Sequence, residues 1–145
     1  MRALTVLAAL ALAAGCSGLK TYPNDAPRNL RVVTQLDRGV RTALHVHEVS
    51  GQCQTRYEGT VALDQPAVEV GVPAGRPSYV VVSFDTSSFL GGNRGTSVGT
   101  VLTPRPGYRY ELAVRYQQSM YDVALREVDR KGASRELPRR GLNGC

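Results

Sequence analysis

From Leu30 onward the chain alternates apolar and polar residues at period two, with turn-forming residues at short intervals. That is the pattern of strands that lay one face on a core. Leu30–Leu36 predicts a first strand closed by Asp37-Arg38-Gly39, and Val40–Val49 a second with Val40, Thr42, Leu44 and Val46 on one face. Ser50-Gly51 turns the chain into Cys53–Leu63, where Cys53, Tyr57, Val61 and Leu63 share a face and Cys53 points inward. Val68, Val70 and Val72 make a short strand between two proline breaks. Ser78–Phe84 is apolar on both faces, which suits a central strand. Asp85–Ser97 reads as the longest loop and Val98–Leu102 as a short edge strand. The sharpest alternation follows Pro104-Arg105-Pro106-Gly107: Tyr108, Tyr110, Leu112, Val114 and Tyr116 face one way, and Tyr121–Val128 returns as a hairpin. No long segment after the first twenty residues carries a helical period. The expected fold is all-β, a single antiparallel β-sandwich of about seven to eight strands.

The first twenty residues follow a different pattern. Arg2 precedes an apolar run, Leu4 to Ala14, interrupted only by Thr5. It has the length of a signal-peptide core and is too short to span a bilayer. The run ends in Ala13-Ala14-Gly15 directly before Cys16. Leu-Ala-Ala-Gly-Cys resembles the lipobox of bacterial lipoproteins, with Ala13 standing where Leu is commonest. The resemblance implies cleavage before Cys16, a diacylglyceryl thioether on Cys16 and acylation of the new amine. Two or three acyl chains anchor stably where one does not, since each buried CH₂ contributes roughly 0.8 kcal/mol. Ser17 in place of Asp implies the outer membrane of a two-membrane host. The expected division is signal peptide 1–15, lipidated Cys and flexible tether 16–29, and sandwich 30–145 with a basic C-terminal tail. A dozen flexible residues give a tether about 20 Å from end to end.

The closing Pro-Gly-Tyr-x-Tyr-x-Leu-x-Val run and its returning strand resemble the last hairpin of transthyretin-like and immunoglobulin-like modules. The chain has no Trp, so the Cys and Trp spacing of true immunoglobulin domains is absent. The resemblance implies a fold and not a role, because such sandwiches serve many functions.

Cysteine count and charge sharpen this picture. If Cys16 carries lipid, Cys53 and Cys145 remain, and an oxidising compartment pairs them. A metal site is the alternative, though two Cys without CxxC spacing make a weak one. Of 18 Lys and Arg, Arg2 lies in the signal, which leaves 17 against 12 Asp and Glu. Most of the excess falls in the tail, where Arg130, Lys131, Arg135, Arg139 and Arg140 stand against Glu136 alone. Arg135, Arg139 and Arg140 are candidates for contact with an anionic envelope polymer or headgroup, the bland reading being a solvated terminal segment. Nucleic acid suits the charge but not the compartment.

Candidate chemistry is sparse. His45 and His47 lie two apart on a strand, so both point away from Leu44 and Val46. They form either a metal half-site lacking a third ligand or a pair of solvent-facing side chains. No Gly-x-Ser-x-Gly occurs, and neither His has an evident acid partner. Gly91-Gly92-Asn93-Arg94-Gly95 leads into a strand rather than a helix, so it is no phosphate loop. Phe89 and Leu90 before it offer an apolar partner contact if exposed and core if tucked in. The reading is a non-enzymatic, lipid-anchored envelope protein without a cofactor beyond its lipid, facing the periplasm and presenting a sandwich to an envelope partner. A periplasmic inhibitor or ligand-binding lipoprotein is the second class, and a metal enzyme built on His45 and His47 the third.

Overall fold

The period-two pattern is realised as nine strands in the computed structural model, which describes residues 18–88, 92–143 and 145. They are β1 Leu30–Leu36, β2 Val40–Val49, β3 Thr55–Ala62, β4 Ala67–Val70, β5 Ser78–Ser88, β6 Gly92–Leu102, β7 Arg109–Gln117, β8 Met120–Val128 and β9 Ser134–Leu137. One sheet runs β4-β1-β7-β8-β9 and the other β3-β2-β5-β6. Leu30, Val32, Tyr110, Leu112, Val114 and Leu125 from the first sheet meet Leu44, Val46, Val80, Val82 and Phe84 from the second, all buried. Burying each such side chain is worth about 1.5–3 kcal/mol against leaving it in water. The all-β sandwich expected from the alternation is what forms.

Nine strands form where seven to eight are expected, and further details differ as well. The sandwich is not wholly antiparallel, because β1 pairs in parallel with β7, Leu30 opposite Tyr110. Period two is the same for either direction, so the sequence pattern does not distinguish them. The stretch expected as a loop, Asp85–Ser97, instead extends a hairpin: β5 and β6 stay in register from Ser78↔Leu102 to Ser88↔Gly92. Its outer half is built from polar residues and glycine, so no apolar alternation marks it.

Cys53 is not in a strand. It sits in the β2–β3 turn with φ 58°, and β3 begins at Thr55. β3 also contains a bulge. Val46 pairs with Gly59 but His47 with Tyr57, which leaves Glu58 as the extra residue. One inserted residue exchanges the faces on either side of it. Tyr57 therefore lies on the outer face with His47, while Val61 stays opposite core-facing Leu44.

The segment expected as a free tether is docked from Lys20 onward. Thr60 N donates to Lys20 O at 2.8 Å and Tyr22 N donates to Thr60 O at 3.0 Å, covering the β3 edge at Thr60. Tyr22 is buried, and its hydroxyl donates to Gly71 O at 2.8 Å. Asn29 brackets Val72, donating to its carbonyl at 2.7 Å and accepting from its amide at 2.9 Å. At the other end, the basic tail contributes β9, and Val101 N donates to Arg140 O at 2.8 Å.

Candidate functional site

The outer face of the four-stranded sheet carries a cluster of chemically active side chains. Register places His45 beside Thr60 on β3 and Val81 on β5, and His47 beside Tyr57 and Tyr79. The β3 bulge is what brings Tyr57 and Thr60 to this face together. His45 is clamped at both ring nitrogens, Nδ1 at 2.7 Å from Thr60 Oγ1 and Nε2 at 2.8 Å from Ser83 Oγ. Tyr57 OH lies 2.6 Å from the same Thr60 hydroxyl and donates to Lys20 O at 3.2 Å. The chain Ser83–His45–Thr60–Tyr57 thus ties β5, β2, β3 and the N-terminal segment into one hydrogen-bonded row. His47 has no such clamp; its ring packs between Tyr57 and Tyr79, with centroids at 5.4 and 6.1 Å. Tyr79 lies across Gly99, where any Cβ would fall 2.2 Å from its hydroxyl.

Half-burial pulls the pKa of both histidines below the ordinary value, and His47 adds a like charge that lowers His45 further. Both are neutral at pH 7, and hydroxyl partners satisfy the neutral ring in either tautomer. By distance, Ser83 and His45 form a nucleophile–base pair. The far nitrogen of His45 meets a hydroxyl instead of the carboxylate that would stabilise an imidazolium. β2 and β5 are each paired on both sides, so their main-chain donors are engaged in the sheet and cannot form an oxyanion hole here. A metal ion on the pair would have to displace one of the two hydroxyl bonds of His45. The described residues contain no group of three or more His, Cys, Asp or Glu with metal-binding geometry.

The other singled-out residues are placed as follows. Cys53 and Cys145 are joined, Cα atoms 5.6 Å apart. Arg135 was a candidate partner contact, but its Nε donates at 2.9 Å to Glu127, a carboxylate only 5% exposed on the inner face of β8. Arg140 is stitched to β6 through its main chain, its amide donating to Thr100 Oγ1 at 3.0 Å, while its side chain is exposed. Arg139 roofs the gap between the sheets over Val98 and Leu125. Cys16, Phe89 and Leu90 lie outside the described residues.

Glu127 is the residue that sequence reading missed. Arg105 reaches both its oxygens, Tyr110 OH donates to it at 2.8 Å, and Arg135 completes the set. The hydrogen bonds from Arg105 lead in holding its pKa down at about 2 against the cost of burial. The signal was present in Val123-x-Leu125-x-Glu127, a carboxylate at an inward position.

No family model matches the chain, and no characterised protein matches it in sequence. Among solved structures, sea bream transthyretin in complex with thyroxine is similar with a TM-score of 0.48 at 15% identity, over 67% of this chain and 93% of that one.

Proposed function

We propose that this protein is a lipid-anchored component of a bacterial cell envelope that acts by presenting its β-sandwich to a partner, not by catalysis. The observation that carries this reading is Leu12-Ala13-Ala14-Gly15-Cys16 at the end of the apolar run. The bond between Cys53 and Cys145 supports it, since Cys16 is then the one cysteine left over. The docked N-terminus adds a constraint. Only Ser17, Gly18 and Leu19 separate Cys16 from Lys20, a reach of about 14 Å between Cα atoms when fully extended. An anchor at Cys16 therefore keeps the β3 edge close to the bilayer. The clamped His45, with hydroxyl partners only, supports a structural role for the row it belongs to.

Intact-mass measurement of the protein purified from its own membranes tests the anchor. The expected chain begins at Cys16, carries the added mass of two or three acyl groups, and leaves the membrane fraction when Cys16 is replaced by Ser. An unmodified Cys16 in soluble protein would refute the anchor.

A further inference from the structure

Leu19 is the first large side chain after the proposed lipid site, and it is left in water at 69% exposure. The residue beside it is fixed: the Lys20 carbonyl accepts from Thr60 N at 2.8 Å and from Tyr57 OH at 3.2 Å. Leu19 therefore has a set place on the sandwich. It forms one wall of a depression of about 540 Å³ between the N-terminal segment and strands β2 and β3. Thr21 shares that wall, and Ala43 and Ala62, paired across the two strands, line the depression from the outer face. Neither alanine is buried. Arg41 and Asp64 also line it, one charge of each sign.

What covers this surface is set by the length of chain between it and Cys16. Only Ser17 and Gly18 intervene, so the Leu19 and Cys16 Cα atoms lie within about 11 Å of each other even at full extension. A thioether-linked diacylglycerol holds Cys16 at the headgroup layer, which is roughly 5–7 Å thick on each side of the hydrocarbon. An apolar side chain that close to the hydrocarbon enters the headgroup–acyl boundary, because burial there removes its apolar surface from water. Met120 and Tyr121 are the other large apolar side chains exposed among the described residues. They sit at the β7–β8 turn, with no short covalent tether to Cys16.

We infer that Leu19 and the depression beside it form the face that the sandwich lays on a phospholipid bilayer. Leu19 enters the boundary, Ala43 and Ala62 lie against it, and Lys20, exposed next to Leu19, keeps its ammonium at the level of the phosphates. Charge does not direct the contact, since Arg41 and Asp64 offset each other and Arg41 is also paired with Asp85 at 3.0 Å. The outer face of the five-stranded sheet carries Ala113 and Ala124, which alternate with buried Leu112, Val114, Val123 and Leu125. That face then turns away from the membrane, toward a partner. The inference rests on the anchor proposed above and adds the orientation that the anchor imposes.

Methyl relaxation in the lipidated protein tests the face. Protein purified from its own membranes, its mass first showing acyl groups on Cys16, is placed in phosphatidylcholine nanodiscs that carry a lipid with a gadolinium-chelating headgroup. The Ala43 and Ala62 methyls should broaden several-fold more than those of Ala113 and Ala124 on the opposite sheet. Leu19→Asp should bring the four toward equality while the lipid keeps the protein on the membrane. The parent measurement decides by itself if that variant fails to fold. The contrast should survive a rise in NaCl from about 0.1 M to about 1 M, where the screening length falls from about 10 Å to about 3 Å. Equal broadening in the parent would mean that the sandwich turns freely on its anchor, and stronger broadening at Ala113 and Ala124 that the other sheet meets the lipid. Either result overturns the inference, as does a contrast that salt abolishes or that Leu19→Asp leaves intact. An unmodified Cys16 in the mass measurement refutes the anchor, whereas equal broadening in acylated protein refutes the face alone.

Discussion

Glu127 concentrates more electrostatic consequence than any other described side chain. A carboxylate removed from water is costly unless its lone pairs are filled, and here two guanidinium groups and a phenol fill them. Arg105 also lies over the Tyr108 ring at 3.9 Å, which fixes the loop before β7 against β8. Glu127 is held at about 2 when folded, against an ordinary carboxylate value of 4.5. Its contribution is present in full above pH 4.5 and is lost as pH falls from there through 2. Linkage sets the size on the order of 3 kcal/mol. Glu127→Gln should lose about 2–4 kcal/mol at pH 7, because Arg105 and Arg135 then face an uncharged partner. Urea unfolding at pH 7 and pH 3 checks both parts: the variant should be weaker at pH 7, and its deficit should shrink at pH 3. An equal deficit at both would mean that shape, not charge, is what Glu127 supplies.

At the scale of elements, β3 shows why pairing matters more than pattern. Gly59, next to the bulge, has φ 151°, and a Cβ there would lie 2.5 Å from the Tyr22 backbone. Glycine is thus what lets Lys20–Tyr22 lie against the edge. Gly59→Ala should cost about 1–3 kcal/mol through strain and displacement of that segment. Trypsin should then cut after Lys20 faster than in the parent chain, and an unchanged cleavage rate would show that the segment is held by Tyr22 alone. The bulge was not legible because Tyr57 and Val61 fit a regular alternation that the extra residue, Glu58, in fact breaks. Tyr57 went unread as a neighbour of Thr60 and His47 for the same reason. By contrast, β7 and β8 were legible because every inward position from Tyr110 to Val114, and at Val123 and Leu125, is apolar. The distal half of the β5–β6 hairpin has no such residues, and main-chain pairing alone defines it.

Across the whole molecule, both ends of the described chain are fastened to the same four-stranded sheet. The N-terminal segment lies on the β3 edge, and the tail passes from β9 to Thr100 and Val101 on β6 before Cys145 joins Cys53 at the β2–β3 turn. By register Val49 and Val101 belong to the outer face, yet both are buried, at 6% and 8% exposure. The end of that sheet is therefore covered, and the tail is a strap across it. The bond that holds the strap spans 92 residues of sequence. Closing a loop of that length stabilises by about 4–5 kcal/mol on the chain-entropy model, through the unfolded state. Cys145→Ser should therefore lose several kcal/mol in denaturant unfolding. Hydrogen exchange separates that global effect from a local one. Loss of the strap should free the Val101 amide, whose partner is Arg140 O, far more than the amides of Leu112 and Leu125 in the opposite sheet. Uniform acceleration at all three sites would mean that the tail stays seated without its bond and that the disulfide acts on the unfolded chain alone. Selective exposure of Val101 would make the strap a structural cover.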